Sequence, residues 1–165
     1  MVKVMDNNYM ICIFFIALII FVLFSMVIYA QTKAESSVSS SIPSGDNMVE
    51  LLARLINGEA RGESYLGQVA VGAVIMNRVK SPMFPNTIAG VIYEPGQFSS
   101  INDGQFNVPI DESSTVYQAA QDAMNGVDPT NGALYFYNPS KTKSKYLFSL
   151  KTVTTIGKHV FAIGN

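Results

Sequence analysis

An uncharged apolar run near the N-terminus constrains this chain more than any other feature. Residues 9–30, YMICIFFIALIIFVLFSMVIYA, contain no Asp, Glu, Lys or Arg. At a helical rise of about 1.5 Å per residue, a segment of this length can cross a hydrocarbon layer of about 30 Å. We therefore predict that residues 1–30 enter a membrane and that the remaining chain folds outside the bilayer.

Two features of this run bear on whether it is removed. The segments Ile28-Tyr29-Ala30 and Thr32-Lys33-Ala34 each end in alanine and resemble signal-peptidase sites. However, the apolar run is longer than the usual signal-peptide core of about 7 to 15 residues. We favour an uncleaved signal anchor, with a cleaved signal peptide as the alternative. Basic and acidic residues nearly cancel on each side of the run, so they do not fix its orientation.

A polar stretch separates the run from the rest of the chain. Residues 31–47, QTKAESSVSSSIPSGDN, are Ser-rich and contain Pro43 and Gly45. Such a composition buries too little apolar surface to offset the entropy lost on ordering, so we interpret it as a linker. Residues 48–165 remain, a length that suits one compact domain.

The charge and the rare residues of the predicted domain exclude several classes of function. From Met48 onwards, nine Lys and Arg balance nine Asp and Glu. A neutral domain lacks the basic field that dominates nucleic-acid affinity, so we expect no nucleic-acid partner. Cys12 lies in the apolar run and His159 is the only histidine, which argues against disulfides, thiolate metal sites and HExxH zinc chemistry. We expect no metal and no cofactor.

The spacing of apolar residues predicts an α+β fold that is mostly helical with a small β part. Apolar residues recur at helical spacing from Met48 to about Ala60, after a possible N-cap at Asp46 or Asn47. Small and apolar residues dominate a second segment, which we expect to form a central buried helix. The predicted elements are helices at about 48–60, 64–79, 87–93 and 114–125, strands within 133–137 and 153–163, and a long loop at 95–107 of the kind that forms site walls.

The segment Gly58-Glu59-Ala60-Arg61-Gly62-Glu63 concentrates charge at the end of an otherwise apolar helix. Glu59 follows Leu55 and Ile56 by four and three residues, so it emerges at the edge of the apolar face. Partial desolvation and a nearby like charge disfavour ionisation of a carboxyl group, which is the condition a general acid needs. On residue physics alone, the alternative that Glu59 is a solvated or Arg61-paired residue stays open.

Five motifs together carry a resemblance to a known family. GEARGE is followed by YLGQVAVGAVIMNRVKSPMFPNTIAGVI, then by QFS, ALYFYNP and IGKHVFAI. In this order they resemble the catalytic domain of the spore cortex-lytic enzyme and cell wall hydrolase family, over nearly all of residues 48–165. Relatives often carry a Trp shortly after the NP motif, whereas this chain has Tyr146 in that region and no Trp. The chain also shows no separate peptidoglycan-binding domain, so vegetative wall remodelling is as consistent as spore germination.

The resemblance implies a lysozyme-like, lytic-transglycosylase-like fold that cleaves the MurNAc–GlcNAc bond of peptidoglycan with one glutamate. By motif position that glutamate is Glu59. Attack by the sugar's own C6 hydroxyl gives a 1,6-anhydro product, and attack by water makes the enzyme a muramidase. A second carboxylate, from Glu63, Glu94, Asp103 or Asp111, remains open as nucleophile or base.

Residue types and motif positions together predict the substrate-binding residues. Amide, hydroxyl and aromatic groups line sugar clefts, and alternation along the YFYNP motif should direct one set of side chains to the cleft. Glu63 and His159 also have structural interpretations, as a turn residue or partner of Arg61 and as a buried histidine. Asn77 and Arg78 are expected to bond to loops inside the fold. The predicted substrate-binding set is Glu63, Gln97, Phe98, Ser99, Tyr135, Tyr137, Asn138 and His159.

These observations favour a peptidoglycan glycosidase, either membrane-anchored with an extracytoplasmic catalytic domain or secreted to the cell wall. Its expected partners are peptidoglycan glycan strands and the membrane, with control by a regulatory protein or by timed expression. The alternative from another class is a non-catalytic membrane-anchored peptidoglycan-binding module. An amidase or peptidase would need a nucleophile or metal centre, and the sequence shows no GxSxG motif.

Overall fold

The computed structural model of the chain describes residues 45–164. The predicted anchor at 1–30 and nearly all of the predicted linker lie outside the described residues. Within 45–164, no helix combines the length and apolarity needed to cross a membrane. The described chain forms six α-helices, one 3-10 helix and three strands: α1 Gly45–Ala60, α2 Tyr65–Lys80, α3 Ile88–Ile92, α4 Ser99–Asn102, the 3-10 helix Gln105–Asn107, α5 Val116–Met124, β1 Tyr135–Tyr137, α6 Lys145–Ser149, β2 Lys151–Ile156 and β3 His159–Ile163.

Helix α2 is the central element, as predicted. Ser64 caps it by accepting a hydrogen bond from the Gly67 amide, and every residue from Gly67 to Ile75 is buried. A Cβ at Gly72 would lie 2.8 Å from the Ala123 Cβ of α5 and 3.1 Å from the Ile56 Cδ1 of α1. The missing side chain therefore lets α1 and α5 both pack closely against α2 at this position.

The strands form a small antiparallel sheet in the order β1-β3-β2. Phe136 of β1 pairs with Phe161 of β3, and β2 and β3 form a hairpin that turns at Gly157, where φ is +58°. Phe161 is fully buried, so β3 carries the sheet's main contribution to the core. The fold class is confirmed as mostly helical with a small β part.

Three details of the predicted elements are wrong. Helix α1 begins at Gly45, so Asn47 lies inside its first turn and not before it. The predicted loop at 95–107 contains α4 and the 3-10 helix, which turn around Gly104 at a φ of +83°. Helix α6 had no counterpart in the prediction. Helices α4 and α6 span only four and five residues, too few to show a helical period.

Candidate functional site

A cleft of about 660 Å³ runs along the C-terminal end of α1. One wall comes from the segment of α4 and the 3-10 helix, and another from the end of β1, the loop after it and the β2–β3 turn. The cleft is lined by Gly58, Glu59, Arg61, Gly62, Glu63, Gln97, Phe98, Ser99, Ser100, Asp103, Gln105, Phe136, Tyr137, Asn138, Lys141, Thr142, Lys158 and His159.

Glu59 lies in the last turn of α1, and its residue is partly exposed to the cleft. Its Oε1 atom is buried, and none of the described residues hydrogen-bonds to it. A buried carboxyl oxygen without an internal partner is costly unless it meets a ligand or carries a proton. The position therefore suits a group that exchanges a proton with something bound in the cleft.

Glu63 is held by the β2–β3 turn. Its Oε2 accepts a hydrogen bond of 3.0 Å from the Lys158 backbone amide, and only 9% of its side chain is exposed. A Cβ at Gly157 would overlap that same oxygen, so the turn needs glycine both for its positive φ and for space. Glu63 thus joins the end of α1 to the hairpin that carries His159.

Arg61 does not pair with either glutamate. Its guanidinium donates a hydrogen bond to Gln105 Oε1 of the 3-10 helix, which also lines the cleft. The alternative interpretation of Glu63 as a partner of Arg61 is therefore wrong, because the glutamate is bound by the hairpin instead. On the same side of α1, Arg54 donates to the backbone oxygen of Phe106 at 3.4 Å.

His159 is buried in the cleft wall, with 7% of its surface exposed. Its ring meets the Phe136 ring edge-on at 5.5 Å and the Phe161 ring at 6.3 Å. Burial lowers the pKa of His159, and the negative charges of Glu63 and Glu59 partly oppose that shift. Within the described chain, no group hydrogen-bonds to the buried Nδ1.

The segment Gln97-Phe98-Ser99 forms part of the wall, and a buried arginine positions it. Arg78 donates to Gln97 Oε1 at 3.1 Å and to the Leu134 backbone oxygen at 2.7 Å. Its guanidinium also lies 5.4 Å from the centre of the Phe98 ring. As predicted, Arg78 bonds inside the fold, and Asn77 does the same through Asp128.

The YFYNP motif contributes Phe136, Tyr137 and Asn138 to the cleft but not Tyr135. Tyr135 packs edge-on against Phe84 and Tyr146, away from the lining. The structure thus brings together seven of the eight predicted substrate-binding residues and leaves Tyr135 out. The roles of the seven in binding stay predictions.

The sequence-based prediction missed several lining residues. Phe136 belongs to the set of side chains that alternates with the predicted cleft residues Tyr135 and Tyr137. The Phe136 ring packs against the core but also borders the cleft, with its centre 6.3 Å from that of the Phe98 ring. Lys141, Thr142 and Lys158 belong to turns that reach the cleft only through the tertiary fold. A weak signal existed for the lysines, since positive charge is concentrated in the last part of the sequence.

Among the possible second carboxylates, only Glu63 and Asp103 line the cleft. Asp103 Oδ1 accepts a hydrogen bond of 3.0 Å from the Gln105 amide, and Asp111 forms a similar local bond with Ser113 outside the cleft. In the described part of the chain, no three His, Cys, Asp or Glu side chains cluster as metal ligands would.

Comparison with known proteins places this architecture in a family. The family model described as Cell Wall Hydrolase matches residues 62–162. The chain belongs to the Cell Wall Hydrolase family. The match begins just after Glu59, but longer alignments with individual relatives extend over 125 to 134 residues.

The relatives of this Cell Wall Hydrolase domain include spore enzymes. It is 45% identical over 133 residues to the spore cortex-lytic enzyme of Bacillus cereus, covering 79% of this chain and 51% of the relative. It is 44% identical over 134 residues to the enzyme of the same name from Bacillus subtilis, covering 80% and 43%. The chain therefore spans about half the length of these curated relatives.

A solved structure supports the fold. The catalytic domain of the germination-specific lytic transglycosylase SleB from Bacillus anthracis has a TM-score of 0.67 and is 46% identical to this chain. The match covers 73% of this chain and 98% of that domain. The helices and small sheet described above therefore share the fold of nearly all of that catalytic domain.

Proposed function

We propose that this chain is a peptidoglycan-degrading glycosidase that cleaves the MurNAc–GlcNAc bond with Glu59 as its single catalytic acid. The observation that carries the proposal is the Glu59 carboxyl group, which lines the cleft with a buried oxygen that no described residue satisfies. The Bacillus anthracis relative is a lytic transglycosylase, which supports the same chemistry. We propose further that the fold is lysozyme-like.

In the proposed reaction, protonated Glu59 gives its proton to the glycosidic oxygen as the bond from that oxygen to the MurNAc anomeric carbon breaks. The Glu59 carboxylate then takes a proton from the C6 hydroxyl of the same sugar, whose oxygen bonds to the anomeric carbon. The products are a 1,6-anhydro sugar and a free GlcNAc C4 hydroxyl, so one carboxyl group serves both steps.

The rest of the cleft supports this assignment in two ways. Phe136 and Tyr137 contribute aromatic side chains to the lining, and Gln97 and Asn138 contribute amides, the groups that sugar clefts use. His159, buried and with a pKa lowered chiefly by that burial, stays neutral near pH 7 and adds no second charge beside Glu59.

Mass spectrometry of soluble products tests the proposal. Full-length parent protein and its Glu59→Gln variant are incubated with purified peptidoglycan. We expect anhydro-muropeptides from the parent and a loss of at least about 10²-fold in release rate from the variant, since general acid catalysis contributes about 10² to 10⁴-fold. The matched control is Glu50→Gln, an exposed residue of α1 outside the cleft lining, which should leave release unchanged.

Other outcomes assign different functions. Hydrated muropeptides that depend on Glu59 make the protein a muramidase, and dependence on Asp103 as well would indicate a second catalytic carboxylate. Binding without any release by the parent favours the alternative of a non-catalytic peptidoglycan-binding module. Equal release by parent and Glu59→Gln would remove Glu59 from its role.

We also propose that the described domain acts on the outer side of the membrane, anchored by residues 1–30. The support is the apolar run in the sequence and the location of peptidoglycan, the proposed substrate, outside the cytoplasm. The cleaved and secreted form remains the alternative.

A further inference from the structure

Charge is divided unevenly along the described chain. Residues 45–138 carry ten Asp and Glu against four Lys and Arg, whereas residues 139–164 carry five Lys and no acidic residue. The second segment contains the loop after β1, helix α6 and the β2–β3 hairpin. The described residues carry a net charge of only −1 as a whole, but the β1–α6 loop and the hairpin bring positive charge to one wall of the cleft.

Two of these lysines line the cleft: Lys141 in the loop after β1 and Lys158 in the hairpin turn. The Lys158 side chain is 72% exposed, and its Nζ lies 4.0 Å from Glu63 Oε1, at the limit of an ion pair. Exposed pairs of this kind contribute little. Lys141 is exposed and forms no ion pair within the described residues.

The ammonium groups of Lys141 and Lys158 both influence the pKa of His159 in the cleft wall. Burial is the main cause of the lowered pKa of His159, and the charges of Lys141 and Lys158 add to it. Arg61, the other cation of the lining, already donates to Gln105. The two lysines are therefore the cleft cations without a strong internal partner among the described residues.

The proposed substrate offers a matching charge in only one of its parts. The N-acetylated sugar rings of a glycan strand are uncharged, while the stem peptides that branch from MurNAc end in carboxylates. We propose that Lys141 and Lys158 bind stem-peptide carboxylates of the glycan strand in the cleft. This inference rests on the proposed function, since it names the part of the substrate that this wall recognises.

Equilibrium binding to two soluble oligosaccharides tests the inference. The full-length Glu59→Gln variant serves as the background for the lysine substitutions, so that turnover is at least about 10²-fold slower during the measurement. The probes are a peptidoglycan tetrasaccharide with intact stem peptides and the neutral tetrasaccharide of N-acetylglucosamine. We expect Lys141→Gln combined with Lys158→Gln to weaken binding of the first probe by about three- to tenfold and to leave the second unchanged.

The control variant is Lys80→Gln, exposed at the end of α2 and outside the cleft lining, which should change neither affinity. Raising the salt concentration should weaken binding of the peptide-bearing probe alone. Equal weakening of both probes by the double substitution, or no weakening of either, overturns the inference. Purified walls that retain teichoic acid serve as a further probe. Lysine-dependent binding to these walls, without lysine-dependent binding of the peptide-bearing oligosaccharide, overturns the inference as well.

The two proposals fail in different ways. If the wild-type protein releases no muropeptides but the lysine variants lose the peptide-bearing probe selectively, the glycosidase proposal fails and the lysine assignment stands. If muropeptides are released and the lysine variants bind both probes like the parent, only the lysine assignment fails.

Discussion

His159 shows how a single buried side chain connects stability to pH. Its imidazole is enclosed by Phe136 and Phe161, and burial lowers its pKa below the ordinary value of 6.5. In the unfolded chain the ring regains that ordinary value. Between the two pKa values, the unfolded state binds more protons than the native state, so the stability of the domain falls as pH falls below about 6.5.

The melting temperature of the full-length protein should therefore decrease between pH 7.5 and pH 5.5. His159→Gln removes the titrating group, and its melting temperature should change less over the same interval. Ordinary carboxyl groups titrate mainly below this interval, so the difference between parent and variant isolates the histidine. Thermal unfolding followed by circular dichroism measures it, and equal pH dependence in both proteins would contradict the prediction.

At the residue scale, the sequence predicted the position of Glu59 better than the role of its neighbours. Helical spacing places Glu59 at the edge of the apolar face because Leu55 and Ile56 precede it by only four and three residues. The partner of Glu63 is the Lys158 amide, 95 positions along the chain, which no local pattern can reveal. Tyr135 failed to reach the cleft for a similar reason, since its partner Phe84 lies in the distant loop after α2.

At the element scale, Gly58 fixes the distance between α1 and α4. A Cβ at Gly58 would lie 2.9 Å from the Ser100 Cβ and 3.3 Å from the Phe106 backbone nitrogen. Because α4 follows directly on the Gln97-Phe98 wall, any displacement of Ser100 also moves that wall. The close approach of these elements therefore shapes the cleft next to Glu59.

Gly58→Ala should destabilise the protein by about 1 to 3 kcal/mol, the usual cost of overpacking, even though alanine favours helix. Muropeptide release should also slow, because the displaced wall borders Glu59. Gly62→Ala is the matched control for stability, since nothing lies within 4 Å of the Cβ that it adds. Chemical denaturation and product release measure the two effects, and equal stability of the two variants would contradict this account.

Helices with several turns were predictable from their apolar spacing, whereas of the three short α-helices only α3 was predicted. Helices α1, α2 and α5 each span enough residues to repeat their apolar spacing, and α2 also has a Ser64 cap. Helix α4 lies in a Gly- and Ser-containing segment that is typical of a loop. Its helical turn is stabilised by tertiary contact, with Ser100 packed against Gly58.

At the scale of the whole molecule, the cleft joins parts of the sequence that differ in composition. The helical part supplies the candidate acid, Glu59, and the lysine-rich C-terminal part supplies His159 and the cations. Neither part alone forms the cleft, because its walls come from both. The order of motifs could therefore indicate the family, while the charge of the cleft needed the tertiary structure.

The proposed position outside the membrane makes a prediction for the full-length chain. With an uncleaved anchor at 1–30, the protein should stay in the membrane fraction through washes with high salt and alkaline carbonate, and detergent should release it. Protease added to intact protoplasts should degrade the domain, since residues 45–164 would face outwards.

A soluble product whose N-terminus follows Ala30 or Ala34 would show cleavage, which separates the secreted form from the anchored one. Protection from protease until the protoplasts are lysed would contradict both forms, because the domain would then face the cytoplasm and could not reach peptidoglycan.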